Sequence, residues 1–186
     1  MTTLGLPVPF GFVITTPTCR EFFESGNQLP SLLEQEYRVA LDLVEKKMGA
    51  RFGDPENPLL FSVRSGASVS MPGMMNTILN LGLNDEIAAG LAKKTDNPRF
   101  AYDSYRRFIQ MFADVVLGVD GKLFEHEIEK YKVSHNKVHD VDMTAEDWQS
   151  IIAIYKTLAD FPQDPFVQLK LAVEAVFLSW YTPRAN

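Results

Sequence analysis

Apolar residues return every third or fourth position over several stretches of this chain, and in two short stretches they run together. The first spacing marks a helix with one buried face; the second, when short, suits a strand. Leu32, Leu33, Tyr37, Ala40, Leu41 and Val44 share a face and predict a helix from about Ser31 to Met48, with Gly49 as its stop. Phe22 and Phe23 give an apolar side to a shorter helix. Thr16 and Pro17 open it as a hydroxyl cap followed by proline in the first turn, and Gly26 closes it. Before it, Pro7, Pro9 and Gly11 punctuate an extended start, and Phe10, Phe12, Val13 and Ile14 predict a short buried strand. Leu59 to Val63 predicts a second strand, central in its sheet.

From Asp85 the pattern turns helical. Glu86 to Lys93 is one amphipathic piece, and Asn97-Pro98 opens the next, with Tyr105, Phe108, Ile109, Phe112, Val115 and Val116 as its stripe. Phe124 to about Val133 predicts a strongly charged helix, and SHNKVHDVD a polar connection. Thr144 with Asp147 has the form of a capping box with Asp in the place of Glu, and opens the helix of Trp148, Ile151, Ile152, Tyr155 and Leu158. Asp164-Pro165 opens the last helix, whose stripe is Leu169, Ala172, Val173, Val176 and Trp180, and Pro183 is its expected stop. The expected class is α+β, a strand-containing first part followed by a helical cluster. No internal repeat or low-complexity tract interrupts it.

Composition narrows the function. A chain of 186 residues with 46% hydrophobic content supports one domain, or one domain carrying an insertion. A net charge of −6 argues against a nucleic-acid surface, which should be basic. The one cysteine, Cys19, excludes an intrachain disulfide and fits an intracellular setting. The longest apolar runs are far shorter than a membrane span. The N-terminal residues have neither a basic n-region nor an A-x-A site, so no signal peptide is expected, and patterned sequence begins almost at once, as in a piece of a longer protein.

Between Leu59 and Asn84 there is a single charge, Arg64. A guanidinium keeps its proton at any accessible pH, so a buried one needs an internal carboxylate or a bound anion. One reading pairs Arg64 in the core with a distant acid such as Asp103 or Glu174. The other starts from the small residues that follow, Ser65, Gly66, Ala67 and Ser68, whose backbone can approach a ligand closely. A phosphate suits a planar fork of donors beside free backbone N–H groups. The strand would deliver Arg64 at its C-terminal end, where ligands of open sheets with parallel strands collect. Beyond it Met71, Met74 and Met75 surround a Pro-Gly turn, which suits an adaptable loop.

Other motifs fail. Neither G-x-x-x-x-G-K-[ST] nor G-x-G-x-x-G occurs. His126-Glu127 begins like a zincin, but Lys130 holds the second histidine position. His135 and His139 are four apart with no third ligand nearby. Asp120, Gly121 and Glu127 match the back half of an EF-hand loop, but Val116 and Gly118 fall on ligand positions. Lys93, Lys94, Arg99, Arg106 and Arg107 read as a solvated helix face. Cys19 reads as a small core residue.

The stretch LLFSVRSGASVSMPGMMNTILNLGLND resembles the S-V-R-S-G-A-x-x-S-M-P-G-M-M-D-T-x-L-N-L-G-L-N signature of pyruvate phosphate dikinases. GLPVPFGFVITT, FGDPENPLL, RFAYDSYRRFIQMFADVV and SWYTPRA agree, so the resemblance spans nearly the whole chain. It implies the N-terminal nucleotide-binding domain, of ATP-grasp architecture. Residues 1–84 and 170–186 would form its α/β part, and residues 85–169 an inserted helical subdomain. The family converts ATP, phosphate and pyruvate to AMP, pyrophosphate and phosphoenolpyruvate through a phosphohistidine. Arg64 matches the family arginine that contacts ATP phosphates and is the expected catalytic residue. Ser65, Gly66, Ala67, Ser68, Ser70 and Met71 are expected against the nucleotide. The implied ligand is MgATP. The implied partners are the phosphohistidine and pyruvate-binding domains of a homodimeric parent, with no nucleic acid and no membrane, in the cytoplasm or, given an upstream signal, in a plastid or glycosome.

Two departures qualify this. Asn76 stands where the family usually has Asp. The family's glycine-lysine segment belongs upstream of Leu4 and its acidic metal ligands downstream of Asn186, and none of His126, His135 or His139 sits in the phospho-acceptor motif. The expectation is a fragment holding one half of an ATP cleft, inactive alone and binding MgATP weakly or not at all. The alternative is a non-catalytic nucleotide-binding or partner-docking module.

Overall fold

The computed structural model describes residue 4, residues 8–66 and residues 77–180. The chain divides into two compact units, residues 1–52 and 53–186.

In the first unit, two helices follow from local signals. Helix α1 spans Thr16–Glu24 with proline in its first turn, and Thr15 rather than Thr16 is its cap residue, without a side-chain capping bond. Ser25, Gly26 and Asn27 turn the chain back, the last two at φ 75° and 64°. Helix α2 spans Leu33–Met48. Gly49 caps it at φ 64°, a left-handed conformation that a side chain resists. Leu33, Tyr37, Leu41 and Val44 form its buried stripe, and Cys19 and Phe22 are the buried residues of α1. Burial pushes the Cys19 thiol up, which suits a small core residue. The expected strand at Phe10, Phe12, Val13 and Ile14 does not form. Val13 is 85% exposed and Phe10 half exposed. An isolated extended segment has no ladder to join, and no other strand lies among the described residues of this unit.

The second unit holds strands β1 (Phe61–Arg64) and β2 (Thr77–Leu81) and helices α3 (Asp85–Thr95), α4 (Pro98–Val115), α5 (Gly121–Ser134), α6 (Ala145–Leu158) and α7 (Pro165–Ser179). A 3-10 turn at Asp140–Asp142 links α5 to α6. Three of the caps are those the sequence marks. Asn97 accepts from Phe100 N–H, Asp164 from Phe166 N–H, and Thr144 and Asp147 complete a reciprocal capping box. Asp120, the remnant of the rejected calcium motif, caps α5.

Helix α4 is the hub, packing on α3, α5, α6 and β2. Its Phe108 and Phe112 meet Phe161 edge to face at 5.5 and 5.6 Å, and Tyr105 meets the same ring at 6.0 Å. Helix α7 packs on both strands. The strands pair antiparallel, with Val63 opposite Ile78, Arg64 opposite Thr77, and an irregularity between Phe61 and Val63. This corrects two expectations. β1 is not a central strand among the described residues, and its neighbour is antiparallel, so the parallel-sheet argument for a ligand at its tip does not apply. β1 also alternates between half-buried and exposed positions, and Arg64 takes an exposed one. A run without charges signalled burial that the pleat grants only to alternate residues. The α+β class holds.

Candidate functional site

β1 carries Arg64 at its last position, opposite the first residue of β2. Residues 65–76 connect the two strands, so the neutral segment begins directly at the guanidinium. The Arg64 side chain is exposed, and among the described residues no carboxylate pairs with it. The core ion pair weighed above does not form. Asp103 is engaged instead by Arg106 at 2.7 Å and Arg107 at 3.1 Å.

Ser65 is half-buried, and its hydroxyl accepts a hydrogen bond from the Trp180 indole at 2.9 Å. Gly66 is exposed, and among the described residues nothing lies within 4 Å of where its Cβ would stand. Arg64, Ser65 and Gly66 therefore form a small, accessible cationic corner with polar groups beside it. Ala67, Ser68, Ser70 and Met71, expected against the same ligand, lie outside the described residues, as do Met74, Met75 and Asn76. Trp180 is the polar neighbour that reading residue by residue overlooks. The sequence places it on the stripe of α7, and nothing local links it to Ser65, which is 115 positions away.

Several other basic residues are spent on the fold. Arg99 donates to the carbonyls of Met143 and Asp140. Arg106 is buried between Asp103 and Asp140, and Lys94 donates to Asn57. The solvated-face reading thus fails for Arg106. It was hidden by the position's place in a run of charges, whereas α4 turns it inward onto Trp148. His135 stacks on Tyr131 with ring centres 3.9 Å apart, and its Nδ1 lies 2.9 Å from the Tyr131 carbonyl. Among the described residues no three His, Cys, Asp or Glu side chains come together as a metal set. No helix among them is long and apolar enough to cross a membrane.

A mixed α+β unit with an exposed cation at a strand end, followed by small residues, can accept an anion there. Residues 27–186 match the family model described as pyruvate phosphate dikinase, AMP/ATP-binding domain. The chain belongs to that family. It is 52% identical to the pyruvate, phosphate dikinase of Giardia intestinalis and 51% identical to that of Clostridium symbiosum, in each case across all of this chain and 22% of the relative. It is 50% identical to the chloroplastic enzyme of Flaveria trinervia, across all of this chain and 20% of the relative. The chain thus spans about a fifth of the length of the curated relatives it matches.

Proposed function

We propose that the chain is the phosphate-gripping part of the nucleotide-binding domain of a pyruvate phosphate dikinase. In this reading Arg64 orients the nucleotide and neutralises charge on the transferring phosphoryl group, where catalysis is mostly positioning and electrostatics. Ser65, Gly66, Ala67, Ser68, Ser70 and Met71 line the polyphosphate. The observation that carries this is the exposed Arg64 at the end of β1. It has no acid partner among the described residues, and its neighbours are uncharged, so no carboxylate competes with an incoming anion.

The reading extends to architecture. Residues 1–84 and 170–186 are the α/β part of an ATP-grasp domain, and residues 85–169 its inserted helical subdomain. The packing of α7 on both strands supports joining the strand segment of the first part to the last helix. The parent polypeptide would make phosphoenolpyruvate, AMP and pyrophosphate from pyruvate, ATP and phosphate. Its other domains would supply the phosphohistidine and the pyruvate site, so this chain does not complete the cycle. Magnesium enters with the nucleotide as substrate. A homodimeric parent in the cytoplasm or, as for the chloroplastic relatives, in an organelle follows from the resemblance.

Titration of the chain with AMP and MgATP to millimolar concentration, followed by amide NMR, tests the site. Half a cleft should bind weakly, so shifts at Arg64, Ser65 and Gly66 that approach saturation only at millimolar nucleotide, and are lost in Arg64→Ala, are expected. A folded chain that shows no such response, and sediments as a stable dimer, would instead be a docking module.

A further inference from the structure

Trp180 is the residue at the C-terminal end of α7, and its half-buried indole N–H donates to Ser65 Oγ at 2.9 Å. A hydroxyl has one proton to give and two lone pairs to accept with. The indole occupies one lone pair and thereby fixes the direction of the other groups on that oxygen. Among the described residues the Ser65 hydroxyl makes no other hydrogen bond, so its own proton has no recipient among them. Ser65 is also peptide-bonded to Arg64. A bond anchored on α7 therefore holds both the hydroxyl and the strand end that presents the guanidinium.

We propose that Trp180 is a positioning residue of the phosphate site. It turns the Ser65 hydroxyl into a committed donor toward a bound phosphate and keeps the end of β1 in register with α7. The proposal rests on the nucleotide reading of Arg64. It adds to it a residue from the far end of the described chain, and it makes the state of α7 sensitive to nucleotide occupancy.

The chain has two tryptophans, which give two separable indole N–H signals. Trp148 is fully buried and its indole nitrogen has no hydrogen-bond partner among the described residues, whereas Trp180 is bonded to Ser65. Ser65→Ala should therefore move the Trp180 signal alone before any nucleotide is added. On titration with AMP and MgATP, the Trp180 signal should shift and saturate while that of Trp148 stays in place. Trp180→Phe keeps the ring but loses the donor, and should weaken nucleotide affinity by about three- to tenfold, the worth of one hydrogen bond. The double variant should bind no more weakly than Ser65→Ala alone, since both changes act through one oxygen. Ser65→Thr, which keeps a hydroxyl, should retain most of the affinity.

Three results decide against the proposal. If Arg64→Ala abolishes binding but Trp180→Phe and Ser65→Ala leave it unchanged, the positioning role is wrong and the nucleotide site stands. Additive losses in the double variant also overturn it, because the two residues then act separately. If the unsubstituted chain gives no saturable response, or Arg64→Ala binds as well as the original, both readings fall. The dispersed Trp148 signal reports folding in every variant, and should Trp180→Phe not fold, the Ser65→Ala and Ser65→Thr pair decides.

Discussion

The guanidinium of Arg106 sits over the Trp148 ring, 4.6 Å from its centroid, and both side chains are buried. Around them lies an ion network. Arg106 meets Asp103 at 2.7 Å and Asp140 at 3.5 Å, and Lys132 meets Asp140 at 2.6 Å and Glu129 at 2.9 Å. The network joins α4 to α5 and the 3-10 turn, while the indole belongs to α6. One guanidinium thus helps pin three helices and the connection between two of them. Arg106→Ala removes a buried cation and leaves its acids behind, which costs about 3 kcal/mol. Arg106→Met restores the apolar cover of Trp148 and should lose about half as much. Urea unfolding checks the pair. Equal losses would mean that the stacking on Trp148 contributes nothing.

Acid should loosen the same helical cluster through Asp147. Burial alone would raise the pKa of its carboxyl, but hydrogen bonds from the Thr144 N–H, Lys137 and Tyr131 outweigh it and bring the value from an ordinary 3.8 to about 2. The folded pKa lies below the unfolded one, so the stabilisation is fully present above about 3.8 and is lost as pH falls toward 2. Allowing for solvent screening, it amounts to about 1 kcal/mol. Asp147→Asn should lower stability at neutral pH and flatten the stability curve between pH 4 and pH 2, a window set by the same shift. An unchanged slope in that window would show that other carboxylates dominate it.

Gly90 should be intolerant of any side chain, against the general rule that alanine improves a helix. It lies in α3, and a Cβ there would stand 1.7 Å from the Pro55 carbonyl oxygen. The obstacle is backbone, so it cannot rotate away. Overpacking of this kind costs about 1–3 kcal/mol or more, which exceeds the gain of about 1 kcal/mol in helix propensity. Gly90→Ala should therefore lower the melting temperature. A rise would mean that the 54–58 loop moves aside freely.

How much of this was legible depends on distance along the chain. Asn97, the Thr144–Asp147 box and Asp164-Pro165 were readable because a cap and its recipient lie within one turn. The apolar stripes of α2, α4, α6 and α7 were readable for the same reason. The pairing of β1 with β2 was not, because a strand's partner is set by backbone bonds that no side-chain pattern records, and residues 78–81 carried no predicted element. Phe10 to Ile14 shows the converse error, since an apolar run says nothing about whether a ladder is available. At the site, Arg64 and the small residues after it were visible in sequence. Their accessibility, and the indole that bonds to Ser65, needed coordinates.

Gln168 carries the last prediction. It is fully buried in α7 among Leu169, Ala172 and Val173, where the sequence offers only a polar interruption of an apolar stripe. Its side chain accepts from Gly82 N–H at 3.0 Å and donates to the carbonyls of Leu83 at 2.9 Å and Pro162 at 2.8 Å. It thereby satisfies three backbone groups where β2 ends, next to α7. Gln168→Leu has nearly the same bulk but strands all three groups, and each buried group left unpaired costs about 1–3 kcal/mol. Local relaxation and water entry recover part of that, so a net loss of about 3 kcal/mol is expected in urea unfolding. The Gly82 amide should also exchange with solvent much faster, because its acceptor is gone while the rest of β2 stays paired. Gln168→Glu separates shape from charge. The carboxylate can still accept from Gly82, but it faces two carbonyls and can donate to only one of them, and only when protonated, so this variant should regain part of its stability as pH falls. If Gln168→Leu proves as stable as the parent, the strand end does not depend on this amide, and α7 holds the sheet by apolar packing alone.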